Sequence, residues 1–169
     1  MANNSSNYNK GQNGQYISKN SLISVIVCTY KRLDMLKITL ESLVYQETDG
    51  KFLWDILVID NDPDCSAKDL VNELSKSCPV SMRYIEEKNI GLSHARNRGI
   101  DESTGDIIAF TDDDVTASPR WLLELFNTFS RTDADCVGGN TLVKWEGNPM
   151  DSVRQCEKHL VCVDWGEKE

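Results

Sequence analysis

The chain has 169 residues, of which 40% are hydrophobic and 27% charged, the composition of a soluble globular domain large enough to build a core without staples. Lys and Arg total 18 against 27 Asp and Glu, a net charge of −9, which argues against nucleic acid or an anionic membrane as partner but leaves room for a local anion pocket. No run approaches the ~18 apolar residues of a membrane span, and the first 20 residues lack the apolar stretch of a signal peptide, so the expected compartment is the cytosol, at most peripheral to a membrane through parts of a longer protein.

Residues 1–20 are rich in Asn, Ser, Gly and Gln and nearly free of large aliphatics, so they read as a disordered leader. The run 22–28 is apolar and rich in β-branched residues, which predicts a strand buried on both faces. Leu33, Leu36, Leu40, Leu43 and Val44 then recur at helical spacing, predicting a helix over 33–46. The alternation repeats with a strand over 54–59, a helix capped by Ser66 and stopped before Pro79, and a strand over 80–85. A helix over 91–102 follows, with Gly105 as its C-terminal signal, then a strand over 106–110. Ser118 and Pro119 open a helix carrying Trp121, Leu122, Leu125, Phe126 and Phe129, and a fifth strand is expected over 135–145. Strands alternating with helices predict an α/β fold, a Rossmann-like, mostly parallel sheet with helices on both faces.

In such sheets ligands bind beyond the carboxyl ends of the strands. Three polar clusters fall there: Thr29 with Tyr30, residues 60–64, and Asp112 with Asp113 and Asp114. Three adjacent carboxylates call for raised pKa values or a cation, and Mg²⁺ or Mn²⁺ commonly bridges one or two carboxylates to substrate phosphates; the plain alternative is a solvated acidic turn. The 60–64 cluster fails as a calcium loop, because Cys65 and Val71 stand where that loop requires Gly and Glu. Its carboxylates either accept hydrogen bonds from a base or ribose or form an Asx turn. The segment 88–99 supplies Lys88, Arg96 and Arg98 for phosphates, with Gly91 allowing close backbone approach, or else is an ordinary amphipathic helix face.

Other chemistries fail by inspection. There is no dinucleotide-binding glycine fingerprint, no P-loop and no G-x-S-x-G elbow. The six cysteines form no CxxC pair; Cys28 and Cys136 read as small buried hydrophobes of strands. Cys156, His159 and Cys162 could share a helix face toward a soft metal, but three ligands without a second cluster fit packing better.

The segments 25–32, 56–61, 89–100 and 105–114 (VIVCTYKR, ILVIDN, NIGLSHARNRGI and GDIIAFTDDD), in this order, resemble glycosyltransferase family 2, over roughly residues 22–145. The resemblance implies a GT-A type fold truncated at its acceptor-side half, with residues 21–169 as a nucleotide-sugar-binding domain and 146–169 as a tail. It implies Thr29, Tyr30, Arg32, Asp60, Asn89, Arg96, Asp112 and Asp113 as nucleotide contacts, Asp60 toward the base. Asp114, with Asp112, would hold Mn²⁺ or Mg²⁺. The implied reaction is inverting transfer of a sugar from a nucleotide-diphosphate donor, most often UDP-linked, to a saccharide or lipid-linked acceptor, as in polysaccharide biosynthesis. The family's general base belongs to a later acidic motif, and no base is identifiable here. The chain therefore reads as the donor-binding part of a longer enzyme or as a short form that needs a partner, and a donor-binding module without turnover is the alternative function. A nucleotidyltransferase expects glycine after the first strand, and a phosphoacceptor receiver expects acids there; this chain has Thr29, Tyr30, Lys31 and Arg32.

Overall fold

The computed structural model describes residues 9–10, 16–17, 20–145 and 147–155. Within the leader, β1 (Asn9–Lys10) and β2 (Tyr16–Ile17) form a two-residue antiparallel ladder. The central sheet consists of β3 (Leu22–Thr29), β4 (Leu53–Asp60), β5 (Ser81–Glu86) and β6 (Ile107–Asp112), in the order β5-β4-β3-β6 and all parallel. The helices α1 (Leu33–Val44), α2 (Lys68–Ser75) and α3 (Leu92–Glu102) connect successive strands, and α4 (Trp121–Arg131) follows β6. The expected doubly covered α/β sheet is therefore present. No helix among the described residues is long and apolar enough to cross a membrane.

Period-two alternation explains how two layers of helix share one sheet. Val25, Val27, Ile56 and Val58 point to a core shared with Leu36, Leu40 and Leu43 of α1, Val71 of α2, and Leu122, Leu123 and Phe126 of α4. Ile26, Leu57, Ile59 and Ile85 point the other way, to Ala95 of α3. Every residue of Val25, Ile26 and Val27 is fully buried, which is why the strand reads as an unbroken apolar run. The strand order turns back after β5, and α3 lies on the face opposite α1 and α2, as right-handed crossovers require. Gly99 allows that packing: a Cβ there would stand 2.5 Å from Ile26 Cγ2.

Several local expectations change. Ser66 does not cap α2; Ala67 is the cap residue, and its N–H donates to the Asp60 carboxylate at 2.9 Å from the end of β4. Gly105 does not end α3, which closes at Ser103 in extended backbone. Its reason is close approach: its N–H donates to Ser24 Oγ at 3.0 Å, and a Cβ would stand 2.6 Å from the Ser24 nitrogen. The helix after Ser118 and Pro119 begins at Trp121, with both residues in the preceding turn. Its first turn is capped from a distance by buried Gln46, whose Oε1 accepts the Leu122 N–H at 3.0 Å while its Nε2 donates to the Ser118 carbonyl at 2.8 Å.

The fifth strand is absent: residues 134–145 are irregular, and Cys136 is exposed rather than buried in a strand. Gly138 and Gly139 offer no side chains to pack, and among the described residues no strand pairs with this segment to offset its ordering. The outer edge of β6 likewise has no strand partner among the described residues. The chain forms two compact units, Met1–Asp133 and Ala134–Glu169, the second holding the short helix α5 (Asp151–Gln155).

Two substitutions test this construction by denaturant midpoint at constant slope. Gly105→Ala is expected to cost about 1–3 kcal/mol, because the close neighbour is backbone and cannot rotate away. Gln46→Met preserves volume but strands the Leu122 N–H, for an expected loss of about 1–3 kcal/mol.

Candidate functional site

A cleft of about 470 Å³ opens at the carboxyl ends of β3 and β6. Register sets its floor, since Thr29 lies beside Asp60 and Cys28 beside Asp112. Cys28, Thr29, Tyr30 and Arg32 line it from β3 and the following turn. Asp112, Asp113 and Asp114 line it from β6, and Asn61, Ile90, Gly91, Leu92 and Ala95 form the opposite wall.

The three aspartates are not equivalent. Asp113 is 5% exposed and accepts a 2.7 Å hydrogen bond from Thr29 Oγ1, a direct tie between the ends of two neighbouring strands. Arg32 Nη1 reaches Asp113 Oδ1 at 3.4 Å and Asp114 Oδ2 at 3.0 Å. Arg96 Nη2 stands 3.5 Å from Asp112 Oδ1. The side chains of Asp112 and Asp114 remain 65% and 44% exposed, so both keep oxygens open to a ligand. The loop beyond is clamped to α1, with Thr39 Oγ1 donating to the Val115 carbonyl at 2.8 Å and the Ala117 N–H donating to Ser42 Oγ at 3.0 Å.

The second acidic cluster has a different character. Asp60 is fully buried; its Oδ1 accepts the Asp62 N–H, and its Oδ2 accepts the Ala67 N–H and the Tyr84 hydroxyl at 3.1 Å. The Asp64 N–H bonds Asp62 Oδ1 in the same way, giving two successive Asx turns. Lys31, in left-handed backbone at φ 59°, places its Nζ 3.4 Å from Asp62 and 3.3 Å from Asp64 and neutralises the loop. Asp60 thus joins β4, α2 and β5 beneath the cleft and is not among its lining residues.

Asn61 is the residue that the sequence reading missed. Its Nδ2 donates to the Glu87 and Asn89 carbonyls at 2.9 and 2.7 Å, and its Oδ1 accepts the Gly91 N–H at 2.7 Å. One side chain therefore fixes the loop that leads into α3, where Gly91 has φ 143°. Asn89 contributes its carbonyl to this staple and does not line the cleft. Of the three cations in 88–99, Arg96 alone pairs with a cleft residue; Lys88 stands near Glu86 and Arg98 pairs with Glu102 one turn on. The clue to Asn61 was its place directly after the acid at a strand end.

Burial pushes the Cys28 thiol up to about 11, against the opposing pull of Arg96, so it stays protonated at neutral pH and supplies no nucleophile to the cleft. Among the described residues, no three His, Cys, Asp or Glu side chains are arranged to hold a metal ion. The exposed oxygens of Asp114 and Asp112 nevertheless fit a hard cation that takes one or two carboxylates and completes its shell with phosphate and water. Cys156, His159 and Cys162 lie outside the described residues.

Comparison with known proteins gives these observations a family. The chain is 33% identical over 147 residues to the succinoglycan biosynthesis protein ExoM of Rhizobium meliloti, covering 87% of this chain and 47% of that protein. It is 32% identical over 126 residues to a glucosyl-dolichyl phosphate glucuronosyltransferase of Haloferax volcanii, covering 73% of this chain and 39% of that one. The chain thus spans less than half the length of these relatives. In fold it is similar to S. aureus TarS 1-349, solved with UDP-GlcNAc, with a TM-score of 0.60 at 20% identity over 76% of this chain and 37% of that one. It is also similar to the mannosyltransferase PcManGT of Pyrobaculum calidifontis, solved with GDP-Man and Mn²⁺, with a TM-score of 0.56 at 23% identity over 75% of this chain and 36% of that one. The sheet is that of a GT-A type transferase. With the family model for glycosyl transferase family 2 matching residues 24–155, across the strands and loops that build the cleft, this chain belongs to glycosyl transferase family 2.

Proposed function

We propose that the cleft binds a nucleotide-diphosphate sugar, UDP-linked in the leading reading, as the donor site of a metal-dependent, inverting glycosyltransferase acting on a saccharide or lipid-linked acceptor. The observation that carries this is the meeting of three carboxylates, two guanidinium groups and an apolar wall at the ends of β3 and β6. A nucleotide sugar presents a flat base, a ribose and a diphosphate, and the cleft offers a partner to each. Tyr30, Ile90 and Leu92, all substantially exposed, give the base an apolar surface. Asp112 and Asp113 offer carboxylates to the nucleotide, and Arg32 and Arg96 supply positive charge for the diphosphate. Asp60 acts from beneath, by holding the start of α2 and the Tyr84 hydroxyl of β5 in place.

Asp114 and Asp112 are the residues that would hold Mn²⁺ or Mg²⁺. When bound, the ion supplies Lewis-acid neutralisation of the departing diphosphate. Thr29 keeps Asp113 fixed between its exposed neighbours. The structures of similar fold hold UDP-GlcNAc in one case and GDP-Man with Mn²⁺ in the other, which supports a nucleotide-sugar site.

Calorimetric titration of UDP into the full chain tests the site. Binding is expected with Mn²⁺, to weaken at least about tenfold in EDTA, and to weaken similarly in Asp114→Ala. Equal affinity with and without metal would remove Asp114 from the metal role; no binding of UDP, GDP or dTDP would end the donor reading. A second variant examines the opposite wall. Asn61→Asp keeps the acceptor for Gly91 but sets a carboxylate against two carbonyls. UDP affinity is expected to fall about tenfold, and a value unchanged from wild type would show that the 87–91 loop does not form the nucleotide site.

A further inference from the structure

The donor-site reading leaves one contact unexplained: a guanidinium sits on Asp114, one of the two carboxylates assigned to the cation. Arg32 Nη1 is 3.4 Å from Asp113 Oδ1 and 3.0 Å from Asp114 Oδ2, bridging the buried and the exposed acid. Asp113 has a second partner in Thr29, whereas the described contacts of the Asp114 carboxylate are with Arg32. The Arg32 side chain is itself 55% exposed at the cleft, on the turn that joins β3 to α1, so it can leave this position without unpacking the core.

We infer that Arg32 is an exchangeable counter-ion: it pairs with Asp113 and Asp114 in the ligand-free protein and moves to the diphosphate when a divalent cation takes its place on Asp114. The inference rests on the donor-site reading and adds an order of dependence between its two ligands. Charge balance is the argument. Two arginines beside three aspartates leave a local charge near −1, a weak site for a lone divalent cation with guanidinium groups nearby. A lone diphosphate gains Arg32 but leaves Asp113 and Asp114 unneutralised beside its own negative charge. When both arrive, Asp114 exchanges Arg32 for the cation and Arg32 exchanges Asp114 for the diphosphate, while Asp113 keeps its Thr29 hydroxyl in the partly enclosed cleft. Each ligand therefore strengthens the other, by the same factor in both directions.

A purely structural Arg32 predicts otherwise, since its removal would weaken cation and nucleotide binding together. A simple phosphate ligand would leave cation affinity unaltered when nucleotide is absent. Exchange predicts opposite signs for the two ligands. Arg96 on Asp112 is a comparable but separate pair, reaching the motif from α3 across the cleft.

The test uses the full chain, with MnCl₂ and UDP titrated separately and together and Mn²⁺ followed by the electron paramagnetic resonance of the free ion. In Arg32→Gln, Mn²⁺ alone is expected to bind about three- to fivefold tighter, the scale of a partly exposed ion pair. UDP in the presence of Mn²⁺ is expected to bind more weakly, so the coupling factor shrinks by at least about fivefold. Arg32→Lys keeps the charge and is expected to hold Mn²⁺ affinity within about twofold of wild type. A folded Arg32→Gln chain, judged by its thermal midpoint and circular dichroism, whose Mn²⁺ affinity is unchanged or lower would overturn the exchange. Should that variant not fold, wild-type protein still decides, because a coupling factor near one between Mn²⁺ and UDP also overturns it. A wild-type chain that binds no nucleotide sinks the donor reading instead, a failure told apart by the Mn²⁺-only comparison.

Discussion

The 2.7 Å hydrogen bond from Thr29 to Asp113 is the constraint around which the rest of the site is arranged. It joins the last residue of β3 to the first residue beyond β6, across 84 positions of sequence. The β3–β6 ladder ends at Cys28 and Asp112, and this side-chain bond carries the alignment one residue beyond it. A buried carboxylate needs partners, and Asp113 has a hydroxyl and a guanidinium. Asp112 and Asp114 face solvent because Asp113 does not.

A second set of polar contacts holds the far side of the same loop. Thr39 and Ser42 lie one turn apart on α1 and Gln46 just beyond its end, and between them they bind Val115, Ala117, Ser118 and Leu122. The helix that buries Leu36, Leu40 and Leu43 in the core therefore uses a neighbouring stripe to fix the segment between β6 and α4. Stability and site geometry are carried by one element, so a change in the packing of α1 reaches the aspartates through this loop.

How much of this was legible follows from the range of each interaction. The strands were readable because a parallel strand buried on both faces carries its signature locally, as 25–28 and 56–59 do. The aspartate triplet was readable because like charges in sequence must be met by something. Asp60 was only half readable. Its position at a strand end was evident, but its partners Ala67 and Tyr84 lie 7 and 24 residues away, and they make it a buried joint beneath the cleft. Gly105 looked like a helix stop, yet its neighbour is Ser24, 81 residues distant. Asn61 and Gln46 were missed for the same reason, since an amide gives no hint of which carbonyls it will find. Residues 135–145 erred in the opposite direction: apolar residues suggested a strand, but a strand exists only with a partner, and no periodicity encodes that.

The outer side of β6 also bears on what the sheet can accept. Residues 107–112 present a row of peptide groups with no strand on their outer side among the described residues, and Phe110, 41% exposed, stands in that row. A strand margin of this length is a template for another chain's backbone, and only Asp112 at its tip carries a charge that would discourage docking. The outer side of β6 is therefore the place in this sheet where an added strand, from a longer chain or from another copy, would find peptide groups to pair with.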